Sequence, residues 1–271
     1  MDLVGVLHLL PLPAGPVRSP GLQAVQDRAW RDAEALVEGG IRSAVLENLG
    51  DAPFSAGPVE PHVVAMMAVL ARGIAQRFGA DLALGINVLR HDGRAALGIA
   101  AAVGARFVRI NVHTGAAWTD QGLIQGRAAA DLRYRRELDL EPIGPAVAGW
   151  LHDGSPGLRI AADVHVKHAS PAGAESIDDA AADLALRGRA DLVIVSGRHT
   201  GGETALDDID RVRARIPGHP LWVGSGATPM GLGPLRGRVD GVIVGTWLHQ
   251  EGDLSRPLDA NRVARLVEAA S

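Results

Sequence analysis

Cysteine is absent from this chain of 271 residues, which excludes disulfide bonds, thiolate metal sites, iron–sulfur clusters and a cysteine nucleophile. Long apolar runs are also missing, because stretches such as 95–105 fall well short of the ~18 residues that a membrane helix needs. The formal net charge of −4 offers no basic field for binding a nucleic-acid backbone. The apolar start carries Asp2 and no basic residue before Pro11, unlike a secretion signal. We therefore expect a cytoplasmic globular protein without membrane insertion.

Lysine is almost absent as well. Lys and Arg together number 27, and the only lysine among them is Lys167. A chain that uses arginine nearly everywhere else suggests that this position needs a titratable amine or a compact point charge. Chance survival at a tolerant position is the alternative, and the location of Lys167 in the fold has to decide between the two.

Short β-branched runs alternate with alanine-rich helical stretches along the whole chain. The predicted strands are 3–8, 43–47, 82–88, 107–112, 159–166, 192–196, 221–224 and 241–244. The predicted helices are 22–38, 61–77, 93–103, 126–137, 176–187, 205–215, 230–235 and 261–270. This rhythm predicts an α/β protein with one domain, residues 1–271, folded as a (β/α)8 TIM barrel. A doubly wound open sheet is the alternative, although no GxGxxG motif follows the first strand.

Three longer segments interrupt the rhythm, at 50–60, at 114–125 and in an irregular insertion at 139–157. Loops of that length in a compact barrel are usually lids or interface elements. We therefore predict that these segments cover a site or contact another subunit.

Barrel enzymes carry their sites where strands end and βα loops begin. Alternate residues of a strand point the same way, so alternation predicts which side chains enter the barrel mouth. The polar residues that it places there are Glu47, Asn87, Arg109, Asn111, His113, Asp163, His165 and Lys167. Such side chains are costly in a barrel interior unless they are paired or solvated. The cluster therefore indicates a functional site, with a buried structural ion-pair network as the alternative.

The last two strands end in glycine-containing loops. Their predicted phosphate-binding residues are Gly224, Ser225, Gly226, Gly245 and Thr246. Glycines let backbone N–H groups approach an anion closely, a short helix N-terminus adds a favourable dipole, and barrels often bind phosphate between these two loops. Ser196 and His199, after the sixth strand, would form a further wall of the site.

A divalent metal is the one cofactor for which the sequence leaves room, since Glu47, His113, Asp163 and His165 are metal-ligating types. No HxxxH helix or carboxylate-rich loop enforces such a site, so acid–base and hydrogen-bonding roles are preferred and no cofactor is predicted. Five other histidines are expected to be ordinary surface groups: His62, His91, His152, His219 and His249.

Seven ordered motifs resemble those of the BtpA/SgcQ family. They are VLHLLPLP at 6–13, ENLGD at 47–51 with PF at 53–54, GINVLR at 85–90, RINVHTG at 109–115, TDQG at 119–122, ADVHVKH at 162–168 and VGSG at 223–226. The resemblance extends over about residues 3–268 and implies a TIM barrel of the ribulose-phosphate-binding kind. One branch of the family is named for a role in photosystem I assembly or stability, and another looks like a sugar- or nucleoside-metabolising enzyme.

From the residues and the resemblance together we expect an enzyme that acts on a small phosphorylated substrate: a sugar phosphate, a phosphoribosyl compound or a nucleotide-derived molecule. The predicted catalytic residues, for isomerase, lyase or glycosidic-bond chemistry, are Asp163, His165, Lys167 and Glu47. The predicted substrate-binding residues are His8, Asn87, Arg109, Asn111, His113, Asp120, Ser196 and His199.

We expect Asp163 to pair with Lys167, which would keep the amine charged and favour acid–base or electrostatic roles over an imine. The alternative function is a non-catalytic assembly or stability factor for a membrane complex. Such barrels are often dimers, so a homo-oligomer is compatible with the sequence.

Overall fold

The computed structural model describes residues 1–173, 175–197 and 204–271, so the predicted site residue His199 lies outside the described residues. The strands are β1 (Asp2–His8), β2 (Ser43–Glu47), β3 (Ala83–Asn87), β4 (Phe107–Ile110), β5 (Ala116–Thr119), β6 (Gly122–Gln125), β7 (Arg159–Val164), β8 (Ala169–Pro171), β9 (Leu192–Val195), β10 (Leu221–Val223) and β11 (Gly241–Val244). The α-helices are α1 (Leu22–Glu38), α2 (Pro61–Phe78), α3 (Gly93–Val103), α4 (Ala128–Glu137), α5 (Ile177–Ala182), α6 (Leu206–Arg215), α7 (Leu232–Leu235) and α8 (Ala260–Ala270).

Eight parallel strands close into a barrel in the order β1-β11-β10-β9-β7-β4-β3-β2. The closure is made by β1, which pairs with β2 through Val4↔Ser43 and with β11 through Asp2↔Gly241. Helices alternate with these strands along the chain. The fold is therefore the predicted (β/α)8 TIM barrel. Within the described ranges, no helix is both long and apolar enough to span a membrane.

Alternation along each strand separates the barrel interior from the layer beneath the helices. On β4, Phe107 belongs to the interior cluster, whereas Val108 and Ile110 pack in the outer core. On β7, Ala161 is interior, and its neighbours Ile160 and Ala162 are outer. Because side chains two apart share a face, Arg109 and Asp163 lie on the interior side at the carboxyl ends of these strands.

Aromatic side chains fill the amino end of the barrel. Trp150 stacks on Trp222 at a centroid distance of 6.1 Å, and Phe107 meets both rings edge-on. Glycines make the space, since a Cβ at Gly241 would lie 2.6 Å from Trp222 Nε1 and one at Gly85 would lie 2.3 Å from Phe107 Cζ. Trp150 comes from the irregular segment 139–157, so this segment closes the end opposite to the predicted site. The lid interpretation was wrong for it.

The segment 114–125 instead forms the β5–β6 hairpin, and β8 adds a third antiparallel strand to it. This small sheet was not predicted. It joins the segments that follow β4 and β7, so it lies at the carboxyl end of the barrel. Both of those barrel strands end two residues before their predicted ends at 112 and 166.

Phe107, Trp150 and Trp222 form an aromatic plug at the amino end of the barrel. Trp222 is fully buried and Trp118 on β5 is 57% exposed, which gives a matched test of the contribution of this plug to stability. We expect Trp222→Ala to lower the free energy of unfolding by roughly 3–5 kcal/mol, because a large cavity remains in the barrel. Trp118→Ala should change it by less than about 1 kcal/mol. Urea denaturation measures both, and equal effects would show that the plug does not stabilise the barrel.

Candidate functional site

A buried ion pair stands at the carboxyl ends of β4 and β7. Arg109 donates from Nε and Nη2 to the two oxygens of Asp163, each at 2.9 Å. Asn111 Nδ2 donates to Asp163 Oδ2 at 3.0 Å, and Ser196 Oγ donates to Oδ1 at 2.9 Å. Arg109 and Asp163 are 3% and 4% exposed. Four donors occupy this carboxylate, so its geometry is that of an anchor for the guanidinium, and the pairing expected between Asp163 and Lys167 is not observed.

Asn87 supports the same group from β3. Its Nδ2 donates to the backbone carbonyl of Arg109 at 2.9 Å and lies 3.2 Å from Asn111 Oδ1. The carboxylate of Glu47 at the end of β2 approaches Arg109 Nη1 at 3.9 Å. Four of the predicted site residues therefore converge around the guanidinium of Arg109: Glu47, Asn87, Asn111 and Asp163.

Lys167 reaches this cluster from the turn that follows β7. Its backbone carbonyl accepts a hydrogen bond from Arg90 Nη2, and its side chain lines two adjoining cavities of about 190 and 470 Å³ together with Glu47 and Arg109. Within the described residues, no carboxylate lies within 4.0 Å of its ammonium. Burial, and then the positive charge of Arg109, lower the pKa of Lys167 to about 8 against the opposing charges of Glu47 and Asp163.

Glycine loops form a further wall of the 190 Å³ cavity, and Gly224 lies directly against the ion pair, where a Cβ would be 3.2 Å from Arg109 Nη2. A Cβ at Gly224 would lie 2.4 Å from Ser196 Oγ, and one at Gly245 would lie 2.7 Å from His8 Cε1. Ser225 Oγ accepts a hydrogen bond from the Gly197 N–H at 2.9 Å, which ties this loop to the end of β9. All five residues predicted for phosphate, Gly224, Ser225, Gly226, Gly245 and Thr246, line the 190 Å³ cavity.

Of the short helices expected at these loops, α7 begins only at Leu232, whereas a three-residue 3₁₀ turn, Thr246–Leu248, begins in the cavity wall. Arg262 of α8 also lines the cavity, and it was not predicted. Its Nε donates to the Trp247 carbonyl at 2.6 Å, and its guanidinium lies 4.4 Å from the centroid of the Trp247 ring. Arginine is too common in this chain for its sequence position to have marked it.

His8 enters the same cavity from the end of β1. Its Nδ1 lies 3.0 Å from Nε2 of His249, and the two rings stack at a centroid distance of 5.2 Å. His249 Nδ1 lies 2.6 Å from the carbonyl oxygen of Arg256, which only accepts, and 3.3 Å from Arg28 Nη2, which only donates. The much shorter contact assigns the proton to Nδ1. Burial lowers the pKa of both imidazoles. In neutral rings, His249 Nε2 therefore accepts from His8 Nδ1, and His8 Nε2 is left unprotonated on the cavity side.

A second ion pair, between Arg28 and Asp32, lies next to His249 on the side away from His8. Arg28 Nε donates to Asp32 Oδ2 at 2.8 Å, and Arg28 also donates to the backbone carbonyls of Ser255 and Arg256. Asp32 Oδ1 accepts from the Leu258 N–H at 2.9 Å. The surface position expected for His249 was wrong, since it is fully buried. The contact between residues 8 and 249 joins the two ends of the sequence, which no local pattern reveals.

His113 does not enter the mouth, contrary to the prediction. Because β4 ends at Ile110, the strand alternation does not extend to residue 113. The His113 ring is buried under α4, where Nε2 donates to the Gly188 carbonyl at 2.9 Å and Nδ1 lies 3.8 Å from Asp131 Oδ2. His91 is buried nearby, so its expected surface position was also wrong.

His165 is separated from Lys167 for the same reason. β7 ends at Val164, and His165 has a φ of 48°, so the chain turns there. His165 lines a different cavity of about 410 Å³ under the small sheet, beside Thr114 and Glu175. In the described part of the chain, no three metal-ligating side chains are grouped so as to hold an ion. The four metal candidates therefore do not meet.

Asp120 is exposed at the β5–β6 turn and lines the 470 Å³ cavity with Arg90 and Lys167. The small sheet thus brings its turn to the edge of the site. Asp120, Arg90 and Glu47 form a polar rim that a ligand larger than the inner cavity would contact.

The pairing of His8 with His249 predicts an uncommon tautomer. Long-range ¹H–¹⁵N NMR should show His8 protonated at Nδ1 and unprotonated at Nε2, with His8→Gln used to assign its signals. His249→Phe keeps an aromatic ring but removes the acceptor, so we expect His8 to change to the Nε2–H form. A wild-type His8 protonated at Nε2, or no change in His249→Phe, would contradict the pairing.

Asp131 predicts a pH effect on stability. Burial raises its pKa from 3.8 to about 6, so the folded state holds this proton more tightly than the unfolded state, and stability is lost as the pH rises from about 4 to 6. Asp131→Asn lacks this loss. Relative to the wild type, its free energy of unfolding should therefore be higher at pH 7 than at pH 4.5 by about 2 kcal/mol.

Urea denaturation at both pH values measures the difference for Asp131→Asn. The control is Asp27→Asn, which changes an exposed aspartate of α1. The burial effect would be absent if Asp131→Asn and the wild type kept a constant difference between the two pH values.

Solved structures with similar folds include tryptophan synthase of Mycobacterium tuberculosis, with a TM-score of 0.58, 16% identity, and coverage of 99% of this chain and 92% of that one. Phosphoribosyl anthranilate isomerase of Thermus thermophilus matches with a TM-score of 0.54 and 12% identity over 99% of this chain and 98% of that one. At these identities the likeness shows the fold alone, and it agrees with the barrel described above.

The sequence comparisons go further. The photosystem I biogenesis protein BtpA of Synechocystis is 40% identical over 267 residues, which cover 98% of this chain and 87% of that protein. The model of the BtpA family matches residues 1–271, the whole sequence. By both measures, the chain belongs to the BtpA family.

Proposed function

We propose that the chain is an enzyme that acts on a small phosphorylated molecule, such as a sugar phosphate or a phosphoribosyl compound. The observation that carries this proposal is the meeting of the single lysine with two glycine loops in one cavity. The phosphoribosyl group in the name of the isomerase with the same fold supports this class of ligand.

The phosphate would lie against the loops 224–226 and 245–246. The Gly224 N–H is bonded to the Val195 carbonyl, so the contacts to phosphate would come from the backbone of residues 225–226 and 245–246. Arg109, Lys167 and Arg262 line the same cavity and would supply positive charge, whereas Glu47 is its acidic group. The charge pattern therefore favours an anion at the loop side and a polar, uncharged group near Glu47.

Proton transfer would be the work of Lys167, His8 and Glu47. His8 presents an unprotonated Nε2 when neutral, so it can accept a proton, and a lysine with a lowered pKa can act as a base or stabilise a developing oxyanion. Asp163 would act through Arg109 as a positioning residue. Asn111 would hold Asp163, and Asn87 would hold the backbone of Arg109. Isomerase, lyase or glycosidic-bond chemistry fits this set of groups.

The 40% identity to a photosystem I biogenesis protein supports a second candidate, a non-catalytic role in assembling a membrane complex. Lys167→Met separates the two. In a host whose growth requires this protein, the variant would restore growth if the role is assembly and would fail to do so if the lysine is catalytic.

Thermal shift against inorganic phosphate, sugar phosphates and nucleotides tests the phosphate site. A ligand at 100 times its dissociation constant stabilises the protein by about 2.7 kcal/mol. We expect a sugar phosphate to raise the melting temperature of the wild type but not of Ser225→Asp, whose carboxylate repels the phosphate.

The matched control is Ser170→Asp, which adds the same charge at an exposed position on β8 and should keep the shift. The phosphate site would be wrong if Ser225→Asp responded like the wild type, or if no phosphorylated compound shifted any of the three proteins.

A further inference from the structure

The surroundings of Lys167 distinguish it from a lysine held in an ion pair. Among the described residues, the acidic groups whose charges act on it are Glu47 and Asp163, and the second is occupied by Arg109, Asn111 and Ser196. Arg109 itself stands beside the amine and adds a like charge, as does Arg90 from the turn after β3. A desolvated lysine next to other cations favours the neutral amine, and the neutral amine is a nucleophile.

The fraction of Lys167 in the neutral form is large enough for covalent chemistry near neutral pH. With a pKa of about 8, roughly a quarter of Lys167 would be neutral at pH 7.5, whereas an ordinary lysine would be neutral to about 0.1%. The same cavity holds His8 and Glu47, which can move protons to and from atoms that bond to the amine. It also holds the glycine loops, which would fix the far end of a phosphorylated ligand.

We propose that Lys167 forms an imine with the carbonyl carbon of a small phosphorylated aldehyde or ketone. This inference rests on the proposed function and narrows its substrate class to carbonyl compounds. An arginine cannot replace the lysine in this role, because a guanidinium stays protonated in proteins. That requirement accounts for the one lysine in a chain that otherwise uses arginine.

The step balances without any oxidant or reductant. Neutral Nζ adds to the carbonyl carbon, a C–N bond forms, and the carbonyl oxygen takes up a proton to give a carbinolamine. The C–O bond then breaks, the hydroxyl leaves as water after a second protonation, and a protonated imine remains. His8 Nε2 is placed to accept the proton that the amine nitrogen loses and to return it to the carbonyl oxygen. The second proton, which leaves in the water, is taken up from solvent by Glu47 and passed to the hydroxyl, so Glu47 ends as a carboxylate.

A protonated imine at Lys167 would also explain why a carboxylate, that of Glu47, lines the same cavity. Glu47 is buried, and its carboxylate is 3.9 Å from Arg109 Nη1. A positively charged imine that replaces the neutral amine would be stabilised by this carboxylate. Electrons of a bond next to the imine carbon would flow towards the nitrogen, which is the basis of carbon–carbon cleavage or of isomerisation at the adjacent carbon.

The composition of the chain makes the test specific. Lys167 is the only lysine, so its ammonium and the α-amine of Met1 are the only amines that a carbonyl compound can label by reduction. The protein is incubated at pH 8 with glyceraldehyde 3-phosphate or dihydroxyacetone phosphate, reduced with sodium borohydride and digested with trypsin. Reduction at Lys167 blocks cleavage there and yields residues 160–187, bounded by Arg159 and Arg187, as one peptide with the mass of the reduced adduct.

We expect this modified peptide from at least one of the two phosphorylated probes. The unphosphorylated probes glyceraldehyde and dihydroxyacetone should give roughly tenfold less of it at equal concentration, and inorganic phosphate should suppress it by competing for the loops. Yield should rise between pH 7 and pH 9 as the amine loses its proton. Lys167→Arg should show labelling at the α-amine alone.

Protein denatured in urea and treated with the same reagents controls for the chemistry, because its exposed lysine must react. The imine proposal is overturned if the denatured chain is labelled at Lys167 and the folded chain is not. If, in that case, a sugar phosphate still stabilises the wild type but not Ser225→Asp, the proposed phosphate site stands and only the imine fails. Equal labelling by phosphorylated and unphosphorylated probes, unaffected by phosphate, would overturn the placement of the phosphate at the loops.

Discussion

The bidentate ion pair between Arg109 and Asp163 is the interaction on which the site depends. Both groups are buried, so each would be strongly destabilising without the other, and the four hydrogen bonds to the carboxylate fix its geometry. The pair has two consequences. It holds a guanidinium in the wall of the cavity, and it takes away the carboxylate that would otherwise neutralise Lys167.

The amino end of the barrel is packed by large side chains, and the carboxyl end carries the candidate site. At the amino end, Trp150, Trp222 and Phe107 fill the interior against glycines that leave room for their rings. At the carboxyl end, Gly224 and Gly245 leave room for Ser196 and His8, which pack against the two loops beside the cavity. The same residue type therefore allows close side-chain packing at both ends. The position of the candidate site agrees with the placement of sites in barrels of this fold.

The sequence predicted the barrel and the cluster around Arg109, because both follow from alternation within strands. Lys167 lies beyond the end of β7, and its rarity as the only lysine of the chain singled it out. Alternation failed where strands ended, and it misplaced His113 and His165 since β4 and β7 are two residues shorter than their apolar runs. His249 was missed because its partner His8 is 241 residues away. A hydrogen bond between the first and last parts of a chain depends on barrel closure, which no local pattern contains.

We propose that the cavity between the glycine loops and Lys167 binds phosphorylated molecules. The most direct measurement is a crystal structure of the protein soaked with a sugar phosphate. We expect a tetrahedral density against the backbone of 224–226 and 245–246, with the rest of the ligand directed towards Lys167. Density bound elsewhere on the barrel, with this cavity filled only by water, would contradict the claim.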